Sequence, residues 1–140
     1  MTLQPTRWSV LVAMLALVSC TAPVDPLEAK ARDGDPVAAC QLAARELHNC
    51  ALEKRKWEAG EIAERPACIA QGITDQQEAY LDKADDGLED RKVDQILFGV
   101  NRIQLTTVEL LLTLMPAKEV IPATERLQGT CANLVDRPKT

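Results

Sequence analysis

The sequence is short of aromatic residues, histidine and zinc-type cysteine spacing, and each shortage removes a class of protein. Trp, Tyr and Phe make up 3% of 140 residues. An interior must therefore be assembled from Leu, Ile, Val and Ala, and with few β-branched or aromatic strand formers the balance falls to helix. The single histidine, His48, has no second imidazole to join it, and no Cys-x-x-Cys pair occurs, so a structural zinc site is not expected. Cations are outnumbered, 16 Lys and Arg against 21 Asp and Glu, for a net charge of −5. That sign argues against binding to a phosphate backbone and gives no attraction to an anionic lipid surface. No internal repeat is present, and the length suits one domain.

What is present first is a leader. Residues 1–7 are polar with one cation, Arg7, and Trp8 to Val18 are an apolar run. A run of eleven residues falls short of the ~20 needed to span a bilayer and fits the core of a secretory signal. The run ends Leu17-Val18-Ser19-Cys20. This tetrapeptide resembles the lipobox of bacterial lipoproteins: apolar, tolerant, small, then the obligatory cysteine. The resemblance covers about the first twenty residues. It implies cleavage after Ser19, diacylglycerol on the Cys20 thiol and acylation of the new amine, which together give stable membrane anchoring. Thr21, rather than aspartate, follows the cysteine, so the resemblance points to the outer membrane, facing the periplasm. Residues 1–19 hold one cation and no acid, so the processed chain is one unit more negative than the whole.

Four cysteines remain: Cys40, Cys50, Cys68 and Cys131. An even number in an exported protein predicts two disulfides. Asp35-Pro36 has the form of an N-cap followed by proline at the first helical position, and no breaker intervenes until Gly60. On that helix Cys40 and Cys50 stand ~15 Å apart, beyond the ~7 Å that a disulfide tolerates. Two pairings survive. A turn at Gly60 favours Cys50–Cys68 with Cys40–Cys131; Cys40–Cys68 with Cys50–Cys131 stays open.

The rest of the chain predicts a compact all-α bundle of about four helices over residues 35–140, following a tether over residues 20–34 that is rich in proline and charge. A short helix runs from Cys68 to Gln71. Thr74 and Gln77 form a capping box for a helix over 75–86, with Gly87 as a break. A long helix spans 88–115 with an apolar stripe at Val93, Ile96, Val100, Ile103, Thr107, Leu110 and Leu114. Its C-terminal end, apolar nearly all round, is expected at the centre of the core. Pro116 stops it, and Pro122 opens a last helix over 123–134.

The candidate catalytic and metal features are weak. Asp82, Asp86, Gly87 and Asp90 match four positions of an EF-hand loop, but Ala84 and Val93 stand where two ligands are required. His48 has no nucleophile at suggestive spacing. Neither a catalytic group nor a cofactor is expected. A better candidate is a contact surface. Lys54, Arg55, Lys56 and Trp57 gather at the end of the first long helix, where cations complement the helix dipole and Trp and Arg make good interface anchors. The stripe residues Val100, Ile103, Leu110 and Leu114 would line a groove between helices.

Lipid, tether, small helical domain and a disulfide from an early helix to a late one resemble, as an architecture, the pilotin lipoproteins of secretin systems. The resemblance implies a non-enzymatic accessory of an envelope machine with a protein partner and no nucleic acid. The alternative expectation is a protective immunity or exclusion lipoprotein that blocks a toxin or transfer component.

Overall fold

A computed structural model describes residues 23–133. Residues 1–22, with the expected leader and lipidation site Cys20, and residues 134–140 lie outside the described residues. Among the described residues there is no strand; five helices and a single helical turn form the fold.

The first helix, α1 (Pro26–Arg32), corrects the expected tether. Asp25 and Pro26 repeat the Asp-Pro start seen ten residues later. The Asp25 carboxylate accepts the Leu27 N–H at 3.0 Å, and Arg45 of the next helix pairs with the same group. Ala31 is fully buried. The Lys83 ammonium donates to the Arg32 carbonyl at 2.8 Å, closing the C-terminal end. Gly34, at φ 96°, turns the chain, and the Asp35 N–H returns to the Lys30 carbonyl at 3.1 Å, completing a Schellman-type stop.

Helix α2 (Pro36–Glu58) follows the sequence expectation, with the Asp35 side chain accepting from the N–H groups of Val37 and Ala38. Its buried positions include Ala38, Ala39, Ala43, Ala44 and Ala51, whose small side chains let neighbours approach closely. Every other helical element touches α2, which is the axis of the bundle.

Gly60 ends α2 at positive φ, and the chain returns to α3 (Cys68–Gln71). Cys50 and Cys68 meet there with Cα atoms 5.9 Å apart. Cys40 meets Cys131 with Cα atoms 5.6 Å apart. These are the favoured pairs of the two left by helical geometry. Gly72, at φ 57°, makes the following turn, beside the Glu109 side chain. That backbone angle favours glycine.

Helix α4 (Asp75–Gly87) starts with both bonds of the Thr74–Gln77 capping box. Asp82, Asp86 and Gly87 lie within it, so no EF-hand loop forms at these residues. Helix α5 (Lys92–Leu114) starts four residues later than expected, because Leu88 is buried in the turn and accepts the Arg91 N–H through its carbonyl. Helix α6 (Ala117–Ala132) starts earlier than expected. Pro122 sits inside it rather than opening it. Glu58 accepts the Ala117 N–H at 2.9 Å and fixes the true start. Packing of Val120, Thr124 and Leu127 holds the helix through the proline.

The largest correction concerns α5. Its buried residues are Phe98, Asn101, Leu105, Val108 and Leu112. The expected stripe faces the other way. Leu110, Leu114 and Met115 are exposed, so the C-terminal end of α5 is not the centre of the core.

Candidate binding surface

Helix α5 carries two apolar stripes, each advancing in alternating steps of three and four residues. The inner one is Phe98, Asn101, Leu105, Val108, Leu112. The outer one is Val93, Ile96, Val100, Ile103, Thr107, Leu110, Leu114. Each inner residue follows an outer one by five positions, which places the stripes ~140° apart around the helix. One face enters the core and the other cannot.

The outer stripe is open along its length. Val93, Ile96, Val100, Ile103, Leu110 and Leu114 are between 46% and 68% exposed. Thr107 does not interrupt it, because its hydroxyl donates to the Ile103 carbonyl at 2.9 Å and the methyl is left as the stripe's contribution. Thr106, beside it, bonds back to the Arg102 carbonyl in the same way.

Three of the four charges of α5 are engaged elsewhere, and Lys92, in its first turn, is exposed. Arg102 reaches α4, 2.9 Å from both Glu78 and Asp82. Glu109 accepts the Ile73 N–H. Asp94 pairs with Arg91. Positions flanking the stripe from 97 onward are Leu97, Gly99, Gln104, Thr106, Leu111 and Thr113, all uncharged. By length and composition α5 is apolar enough to cross a membrane, yet its inner face is committed to the bundle. A shallow open cleft of about 350 Å³ runs beside the stripe, between α5 and α6, lined by Thr107, Leu111, Ala123, Arg126, Leu127 and Thr130 among others.

The cluster at the end of α2 divides. Lys54 is 6% exposed and leaves the contact surface. Its ammonium donates to the carbonyls of Leu112 and Met115, both at 2.7 Å, and so caps α5 rather than its own helix. A buried amine is satisfied and two terminal carbonyls of α5 are bonded at once. Arg55 and Lys56 are exposed and Trp57 is half-buried. The Lys54 contacts bring the Arg55–Trp57 segment to the C-terminal end of the outer stripe, so the two sequence candidates meet at one end of the bundle. They do not form a groove; the stripe is a ridge.

His48 is a structural link. Its Nδ1 lies 2.9 Å from Thr124 Oγ1, whose own hydrogen goes to the Ile121 carbonyl. The threonine oxygen is therefore the acceptor and Nδ1 carries the proton. Among the described residues no group of three or more His, Cys, Asp and Glu side chains is placed to hold a metal.

Sequence reasoning found every residue of the outer face but assigned it to a groove. It missed the inner face as a separate stripe, although Phe98, Leu105 and Leu112 recur at seven-residue intervals and could have signalled it. No family model, curated protein or solved structure matches the chain.

Proposed function

We propose that this protein is a lipid-anchored, non-enzymatic binding accessory of the cell envelope, holding protein partners through the outer face of α5. The observation that supports this reading is the uncovered stripe itself. Six exposed large apolar residues on one helix face are unusual for a small domain, and contiguous patches of that kind mark interaction sites. The anchoring rests on the Leu17–Cys20 lipobox. Lipid at Cys20 confines the domain to a membrane surface, where a modest affinity suffices because the effective concentration is high. The outer membrane is the proposed location.

Two measurements test this. Globomycin, which blocks lipoprotein signal cleavage, should cause the unprocessed precursor to accumulate; normal processing would refute the anchor. A photoreactive residue at Ile103 in the native envelope should give adducts of discrete protein mass. The same probe at exposed Lys30 on α1 should give none. Equal adduct yields from both positions would remove the outer face from the function.

A further inference from the structure

We infer that the Cys50–Cys68 bridge is a redox-sensitive clasp. Thiol–disulfide exchange at Cys68 opens it in the folded protein while Cys40–Cys131 stays closed, and opening frees residues 62–72 from the bundle.

The two bridges differ in what surrounds them. Cys40 and Cys131 are both 0% exposed, between α2 and α6, the most closely packed pair of helices. An attacking thiolate must lie in line with the two sulfurs, so it reaches this bridge only after the helices part. Cys50 is also buried, but Cys68 is half-buried, on a single helical turn. The chain leading to it is exposed from Glu58 to Arg65. Cys68 therefore carries the sulfur that an outside thiolate can meet, and accessible bridges are the labile ones.

The segment around Cys68 is held by little else. The Glu61 N–H returns to the Lys56 carbonyl at 2.9 Å, and the Ile73 N–H goes to Glu109. Between them the N–H groups of Ile69, Gln71 and Gly72 bond locally, to the carbonyls of Pro66, Ala67 and Cys68. Among the described residues no hydrogen bond or ion pair joins residues 62–72 to another element. The Cys68 sulfur lies 3.9 Å from a Glu53 carboxylate oxygen, but a disulfide sulfur has no hydrogen to donate. What remains is the covalent bond to α2 and the burial of Ile69, 2% exposed. One buried isoleucine does not offset the entropy of ordering the whole segment. Gly60 and Gly72, both at positive φ, flank it as turns.

The step takes a dithiol as reductant. One of its thiolates attacks the Cys68 sulfur, the Cys50–Cys68 bond breaks, and the electron pair leaves on Cys50, which is then protonated. The second thiolate attacks the mixed disulfide and releases Cys68, which is protonated in turn. The dithiol gives up two electrons and two protons and leaves as a disulfide. The Glu53 carboxylate, beside the sulfur under attack, repels the approaching thiolate and slows the first step.

Helix α3 touches both α2 and α5, and Glu109, which accepts the Ile73 N–H, directly precedes Leu110 of the outer face. Opening the clasp thus uncovers apolar surface beside that face. Its effect on partners rests on the reading of the face as a binding surface; the opening itself does not.

Dithiothreitol treatment of the full chain without denaturant, followed by alkylation and peptide mapping, tests the clasp. Cys50 and Cys68 should be alkylated at least about tenfold faster than Cys40 and Cys131. Equal rates, a faster Cys40–Cys131 pair, or opening of Cys50–Cys68 only in unfolding urea would each overturn the proposal. In the reduced chain, amide exchange should quicken at Ile69, Gln71 and Gly72 and hold steady along residues 40–50. Unchanged exchange at the three amides would overturn the release of the segment. Glu53→Gln should speed opening by up to about fivefold at low salt and less at high salt; an unchanged rate would overturn the role of Glu53. With both Cys50 and Cys68 replaced by alanine, photoadduct yield at Ile103 in the native envelope should rise. An unchanged or lower yield, in a chain whose clasp opens as described, would overturn the coupling to partners and leave the proposed function in place.

Discussion

The two faces of α5 are close in apolar character and opposite in fate. Phe98, Leu105 and Leu112 are at most 1% exposed, whereas Ile96, Ile103 and Leu114 are 67% or 68% exposed. Hydrophobicity does not decide between them. The inner face holds the larger Phe98. Its margins place Arg102 and Glu109 within reach of α4 and the turn before it. Rotating α5 to bury the outer stripe would carry both charges away from these partners and expose Phe98. A helix apolar on both sides inside a small domain thus has one side answering to the fold and another left uncovered.

The largest effect should come from cutting the staple between α2 and α6, the two helices that flank the inner face. Replacing Cys40 and Cys131 with serine opens a loop of 91 residues. Urea unfolding should show a loss of about 4–5 kcal/mol, against about 3 kcal/mol for the pair separated by 18 residues, Cys50 and Cys68. Equal losses would mean that the unfolded chain is already compact. Leu105→Ala should cost about 2–5 kcal/mol in the same assay, while Ile103→Ala, two residues away, should stay within about 0.5 kcal/mol. Similar costs at both positions would erase the distinction between the faces.

Lys54→Met should cost about 1–3 kcal/mol, because two carbonyls at the end of α5 lose their donor. Amide exchange should localise the loss to residues 111–115. The smallest effect concerns α1. A hydrogen bond from the Arg45 guanidinium, then one from the Leu27 N–H, hold the Asp25 carboxyl below its ordinary 3.8. The folded value is depressed, so this contribution is complete above 3.8 and is lost as pH falls through the folded value. NMR signals of residues 26–32 should leave their native positions in that acid range before those of Leu105 and Leu112. Simultaneous loss would show that α1 is not a separable unit.

Much of the fold was legible because its stops and starts are chemical. Asp35-Pro36, Thr74 with Gln77, and the glycines at 60, 72 and 87 set boundaries that the chain follows. Ten residues of helix between Cys40 and Cys50 removed one disulfide pairing outright. The equivalent signal at Asp25-Pro26 was as strong, but proline and charge made the segment resemble a linker, and its burial depends on Arg45 and Lys83, which are distant in sequence. The role of Lys54 was hidden for the same reason: nothing local to α2 shows that its ammonium reaches the end of α5. The stripe was found by its period, but period alone cannot say which of two apolar faces meets the core. That choice was made by Phe98 and by the reach of Arg102 and Glu109 to α4.

The proposed function requires an outer stripe that takes no part in holding the fold. Urea unfolding of Ile103→Lys tests this most directly. A buried lysine without a partner would cost several kcal/mol, whereas a lysine on an open ridge should leave the unfolding midpoint within about 0.5 kcal/mol of the parent. An unchanged midpoint is the result expected; a loss of 2 kcal/mol or more, at concentrations where the chain is monomeric, would contradict it.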